Sequence, residues 1–116
     1  METKELPEIE DIVIEAVSSV YHCTIEEINS PSRKSMLVAP RQIIMYLLHR
    51  KVEMSYPDVG RKLGNRDHTT IIHGVRRVER RIAVDSDYRD CVEAFILMLG
   101  LEKPRNKSAI VHMENC

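Results

Sequence analysis

Tryptophan is absent and phenylalanine occurs once in 116 residues, so no cluster of large aromatic rings can fill the interior of this chain. Its 43% apolar content is dominated by Leu, Ile, Val and Met, which interlock between helices and favour a bundle over a β-sandwich. The length suits one domain and leaves no room for a second, catalytic one. Cys23, Cys91 and Cys116 are odd in number and share neither metal-type nor disulfide-type spacing, which points to a reducing compartment and no metal. No stretch approaches the roughly 18 apolar residues of a membrane span, and the start lacks the basic, apolar and small-residue pattern of a secretory signal. A cytoplasmic protein is expected, with no membrane partner, cofactor or small-molecule substrate.

A net charge of −1 argues against an anionic partner only if the charges are evenly spread. They are not. Between Arg33 and Arg81 stand twelve Lys and Arg against four Asp and Glu, leaving +8, while the remaining residues carry −9. A split of this kind can hold a strongly positive face on a nearly neutral molecule, and an anion meets the face. A charge run alone is more often plain solvated surface, so motifs must decide.

Periodicity orders the helices. Ile9, Ile12, Val13, Ala16, Val17 and Val20 predict an amphipathic first helix over about 8–21 with an acidic opposite face. Thr24 and Glu27 have capping-box spacing, predicting a short helix over 25–29 that Ser30-Pro31-Ser32 ends. Ile43, Ile44, Leu47 and Leu48 define the buried side of a third helix ending near Lys51, with Pro40 close to its first turn. Ser55 caps a fourth helix opening with Tyr56-Pro57-Asp58 and closed by Gly64-Asn65. Ile71, Val75, Val78 and Ile82 form one stripe of a longer fifth helix from about Asp67. Ser86 and Asp87 restart the chain, and Cys91, Phe95, Ile96, Met98 and Leu99 make a sixth helix that Gly100 closes. The expected layout is a lead-in over 1–7, an all-α bundle of about six helices over 8–100, and a mobile tail over 101–116.

The segment 55–84 has the length and turn of a helix-turn-helix, although helical proteins that never touch DNA also show this spacing. The run Gly64-Asn65-Arg66-Asp67-His68-Thr69-Thr70-Ile71-Ile72-His73 is more specific. It resembles the C-terminal DNA-binding domain, domain IV, of the bacterial replication initiator DnaA, a helix-turn-helix of Trp-repressor-like kind, in which an Arg-Asp-His-Thr-Thr stretch opens the recognition helix. The resemblance spans Ile9 to Leu99 and includes Ala39-Pro40-Arg41-Gln42-Ile43 and Tyr56-Pro57-Asp58-Val59-Gly60. It implies that Asp67, His68 and Thr69 reach base edges in the major groove beside Pro57, and that Arg33 enters the neighbouring minor groove. Arg41, Gln42, Thr70 and His73 would hold phosphates. Their basic neighbours Lys34, Arg66, Arg76 and Arg77 are assigned to phosphates with them. A bacterial nucleoid or a phage-infected cell is the implied setting.

The chemistry of these residue types suits the implied roles. At a helix end entering a groove, an Asp67 carboxylate can accept from a cytosine or adenine amino group and His68 can donate to a purine acceptor. The Thr69 methyl can pack on thymine. An acid among so many bases makes little sense for indiscriminate phosphate binding. Arg33, in a Ser-Pro-Ser-Arg-Lys segment, suits a narrow, electronegative minor groove over A·T-rich sequence. Plainer roles compete: Asp67 as an N-cap, Thr70 as a helix-start hydroxyl, Arg80 and Arg81 as solvated surface, Gly74 as the site of a close helix approach.

Tyr56 stands where the family usually has Leu, and Ser35, Ala39 and His49 where it often has a basic residue. No Gly-Lys-Thr phosphate loop occurs, so the chain is expected to recognise DNA without binding ATP or melting an origin. The leading Met and acidic lead-in lean towards a free-standing protein. Expected partners are double-stranded DNA and a replication initiator or regulatory protein. The alternative is an interaction module that keeps the fold and docks on replication or regulatory proteins without specific DNA binding. Catalysis is not expected, because Asp67, His68 and Thr69 share one helical turn without an oriented base or oxyanion donors.

Overall fold

The computed structural model describes residues 8–101. The lead-in and the expected tail beyond Leu101 lie outside them. Six α-helices succeed one another: α1 Ile9–Val20, α2 Ile25–Asn29, α3 Ser35–Tyr46, α4 Tyr56–Lys62, α5 His68–Val84 and α6 Ser86–Met98. No strand occurs among the described residues, and no helix there is long and apolar enough to cross a membrane. A π-helical turn, Leu47–Lys51, continues α3 directly.

Local chemistry fixes most helix starts. The α2 capping box is complete: the Glu27 N–H donates to Thr24 Oγ1 at 3.0 Å and the Thr24 N–H to Glu27 Oε1 at 2.9 Å, satisfying amides that would otherwise be orphaned. Ser55 Oγ accepts from the Asp58 N–H at the head of α4, Asp67 from the Thr69 N–H at the head of α5, and Asp85 from the Tyr88 N–H at the head of α6.

Three local expectations are corrected. Pro40 sits inside α3, five residues beyond its start, so the helix begins about a turn earlier than expected and Arg41 and Gln42 lie at its middle. Its fixed φ is helical, and the bond it cannot make would have gone to the Met36 carbonyl, which instead receives a weak donation from the Cys23 thiol at 3.8 Å. In α1 the buried stripe is Val13, Ile14, Val17 and Ser18, whereas Ile9, Ile12 and Val20 are 38%, 37% and 53% exposed. On its outer side Asp11 takes the Lys62 ammonium at 2.9 Å. In α6, Val92 joins Phe95 and Ile96 in the core, while Cys91 and Met98 face solvent.

The core is aliphatic, with Ile43, Ile44, Leu47, Leu48, Ile71 and Val75 fully buried. Leu101 closes it at 7% exposure, so the packed chain includes one residue of the expected tail. Helix α5 packs mainly on α3 and α4, and two glycines permit this. An added Cβ at Gly74 would lie 2.4 Å from Met45 Sδ, and one at Gly60 2.2 Å from the Arg66 backbone oxygen.

These approaches differ in what can yield. Met45 can swing its flexible chain, and alanine gains about 1 kcal/mol of helix propensity over glycine, so Gly74→Ala should change stability by no more than about 1 kcal/mol. Gly60→Ala sets a methyl against backbone and should cost more than about 3 kcal/mol. Denaturant unfolding of both variants checks the order, and equal losses would show that the turn between α4 and α5 can relax.

Candidate nucleic-acid interface

The turn entering α5 passes through Gly64 at φ +78° and Asn65 at φ +60°, the left-handed region that glycine and asparagine tolerate. The first turn of α5 then emerges into solvent, with Asp67, His68, Thr69 and Thr70 all exposed. Asp67 caps the helix through Oδ2, 3.1 Å from the Thr69 N–H, and its Oδ1 stands 3.7 Å from His68 Nδ1. Hydrogen bonds from the Thr69 hydroxyl and then the Thr69 backbone hold the Asp67 carboxyl below the usual carboxylate range. The residue is therefore an ionised cap on an open helix end.

Pro57 is exposed in the first turn of α4. Beside it, Tyr56 stacks on His49 with ring centroids 3.9 Å apart and planes 14° from parallel. His49 Nδ1 lies 2.8 Å from the Met54 carbonyl; a carbonyl only accepts, so this nitrogen carries the proton. Nothing in the sequence assigned His49 a role, and the two ring residues, both departures from the family pattern, turn out to be partners.

A groove of about 630 Å³ separates the α2–α3 loop and α3 from the α4–α5 turn and α5. It gathers Arg33, Arg41, Gln42, Arg66, Thr70 and His73, all named from sequence. A smaller groove of about 190 Å³, lined by Arg77 and Arg81 among others, shares Val38 and Gln42 with the first. The two form one track along α3 and α5, lined by five arginines and no Asp or Glu. Lys34 and Arg76 are exposed but line neither groove. Several carboxylates are paired instead: Glu79 with Arg50 at 2.6 Å, Asp58 with Arg61, and Asp85 with Arg81 at 3.5 Å. Arg81 also lies over the Tyr88 ring at 4.2 Å.

Two arginines expected on phosphates have their donors turned inward. Arg41 is only 4% exposed. Its Nε donates to the Ile28 carbonyl at 2.8 Å, Nη1 to Ser32 at 2.9 Å, and Nη2 to Glu27 at 3.0 Å and Ser30 at 3.3 Å. It therefore ties the last turn of α2 and the loop after it to α3, adding donors where helical N–H groups run out. Burial, and then the nearby Arg66 charge, push its pKa down, although a guanidinium remains charged. Arg66, half-buried, donates to the Leu63 carbonyl at 2.6 Å and to those of Ile28 and Ser30. The sequence held a signal for Arg41: positions 37, 41, 44 and 48 recur at helical intervals, and Leu37, Ile44 and Leu48 are core.

Arg41→Met should cost about 2–4 kcal/mol, because one buried guanidinium bonds four carbonyls on two elements and that of Ser32 loses its Nη1 donor. A variant as stable as the parent with a shallower salt dependence of DNA binding would return Arg41 to the phosphates. The caps predict a pH effect. Asp85, like Asp67, titrates below the usual range, chiefly through the Tyr88 N–H. A depressed folded pKa gives stability that is whole above the ordinary Asp value of about 3.9 and is lost as pH falls through the folded value. Asn caps without titrating, so thermal melts of the Asp67→Asn, Asp85→Asn double variant should fall less steeply on acidification than those of the parent.

Residues 10–78 match the family described as the bacterial dnaA protein helix-turn-helix. The chain is also similar to chromosomal replication initiator proteins DnaA. It is 37% identical over 86 residues to that of Lachnoclostridium phytofermentans, 74% of this chain and 19% of the relative. It is 39% identical over 79 residues to that of Thermomicrobium roseum, 68% and 17% of the two chains, and 40% identical over 74 residues to one from Cereibacter sphaeroides, 64% and 16%. The chain thus spans less than a fifth of the length of these relatives. With the match covering the turn, the open helix end and most of the arginine track, the chain belongs to the bacterial DnaA helix-turn-helix family.

Proposed function

We propose that this chain binds double-stranded DNA at a short, A·T-rich site like the box of a replication initiator, and that it does so in the bacterial cytoplasm. The observation that carries the reading is the open amino end of α5 beside a track lined by five arginines and by no Asp or Glu, with only Arg81 at its end paired, to Asp85. Asp67, His68 and Thr69 read base edges in the major groove, with Pro57 beside them. Arg33, on the far wall of the main groove, reads the adjacent minor groove by its width. The strand between the two grooves of the duplex then crosses the track, where Gln42, Thr70 and His73 hold phosphates, with Arg77 further along and Lys34 and Arg76 at its margins. The charges of Arg41 and Arg66 act through the field at the floor of the track.

The ionised, capping Asp67 favours reading over indiscriminate binding, since a carboxylate among phosphates is repelled while one against an exocyclic amine accepts a bond. The chain recognises DNA and carries no phosphate loop with which to remodel it. An interaction module without specific DNA binding is the competing reading; the exposed Ile9 and Ile12 on acidic α1 favour it.

Titration of labelled duplexes separates the readings. A box duplex should bind well above a scrambled one at physiological salt, and equal binding overturns sequence recognition. Negligible binding to any duplex with retention on an immobilised replication protein would favour the module. His68→Ala should cost about 1–3 kcal/mol on the box alone, whereas Arg77→Ala should weaken all duplexes and flatten the salt dependence. Asp67→Asn should keep the cap and shift the preferred base, so selection from random duplexes reads its role apart from stability.

A further inference from the structure

We propose that Arg66 is a positioning residue which sets the spacing between the minor-groove arm and the reading helix, and does not itself hold a phosphate. The inference rests on the DNA-binding reading above. Three observations support it.

Arg66 belongs to both halves of the interface. Its backbone lies in the turn one residue before the α5 cap, where its N–H donates to the Gly60 carbonyl at 2.8 Å. Its side chain reaches back 36 residues to the Ser30 carbonyl and 38 to that of Ile28. Ile28 is in the last turn of α2 and Ser30 opens the loop that delivers Arg33.

The same two carbonyls are shared with Arg41, whose Nε donates to Ile28 and Nη2 to Ser30, and whose Nη1 holds Ser32, the residue before Arg33. Arg41 ties the arm to α3; Arg66 ties it to the turn and α5. A close backbone approach reinforces the second tie: a Cβ on Gly64 would lie 2.2 Å from the Asn29 carbonyl oxygen.

The acceptors are carbonyls on two separate segments, met by one planar fork. A lysine has the charge but not the fork. Two guanidiniums are thus brought together, so the arm is anchored at a cost in mutual repulsion. A duplex that must be read in both grooves gains from elements already at the right separation, because ordering them on binding would cost affinity.

The experiment measures box and scrambled duplex binding by the full chain for the parent, Arg66→Lys, Arg66→Ala, Arg33→Ala and the Arg66→Lys, Arg33→Ala double variant, over a range of salt. Arg66→Lys should weaken the box complex about tenfold and leave the salt slope unchanged. With Arg33→Ala already in place the same change should cost about twofold or less, since there is no arm contact left to position. Equal losses in both backgrounds overturn the proposal. So does near-neutral Arg66→Lys with Arg66→Ala lowering the salt slope by about one, the mark of a direct phosphate contact.

A measurement without DNA separates this from failure of the binding reading. Spin labels at Lys34→Cys and Arg76→Cys, in a chain with Cys23→Ser, Cys91→Ser and Cys116→Ser, report the arm-to-α5 distance. Arg66→Lys should broaden that distribution while the thermal transition remains cooperative; an unchanged width overturns the positioning role. A parent protein that does not prefer the box would defeat the DNA reading, and the label distances would still decide whether Arg66 holds the two segments together.

Discussion

The Arg66 N–H meets the Gly60 carbonyl at 2.8 Å, and the Arg66 carbonyl lies so close to the Gly60 α-carbon that no side chain fits between them. This contact between backbones decides where α4 stops and in which direction α5 leaves. Between the two contact residues Gly64 and Asn65 take left-handed angles, and Asp67 stands just beyond, where it caps the next helix. The stripe of Ile71, Val75 and Val78 then falls on α3 and buries, and the polar start of α5 is left in solvent.

Charge placement comes from the same geometry. With α5 lying along α3, the side chains between the two helices line a track, and the carboxylates of α4, α5 and the α5–α6 junction pair with Arg61, Arg50 and Arg81. A nearly neutral protein thereby presents two very different faces. The inward turn of Arg41 and Arg66 extends this logic: their bonds go to neutral carbonyls, so structural anchoring does not cancel the charge an anion would feel from the groove.

Short-range chemistry was readable from the sequence to within a residue or two. Thr24 with Glu27, Ser55 and Asp67 mark three helix starts because a cap needs only atoms a few residues apart, and Ser86 with Asp87 marks a fourth just past its cap, Asp85. The Arg66–Thr70 run marked the open helix end through its resemblance to a family's recognition helix. Features decided by distant partners were not readable. Pro40 tolerates a helix interior because helical φ suits it and Cys23 lies near the carbonyl it leaves free; the stripe of α1 is rotated by what it packs against. The donors of Arg41 point at carbonyls nine to fourteen residues away, a fact its charge concealed and only its helical register hinted at. The His49–Tyr56 stack was hidden because neither ring signals a partner on its own.

The π turn at Leu47–Lys51 closes with the Val52 N–H on the Leu47 carbonyl, five residues back. Each residue added to a helix rotates the downstream chain by about 100°. The extra residue therefore works as a phase shifter between the scaffold helices and the α4–α5 pair. Shortening the chain here by one position would leave every side chain of α5 intact and point it elsewhere, so in this stretch length matters to orientation as much as identity does.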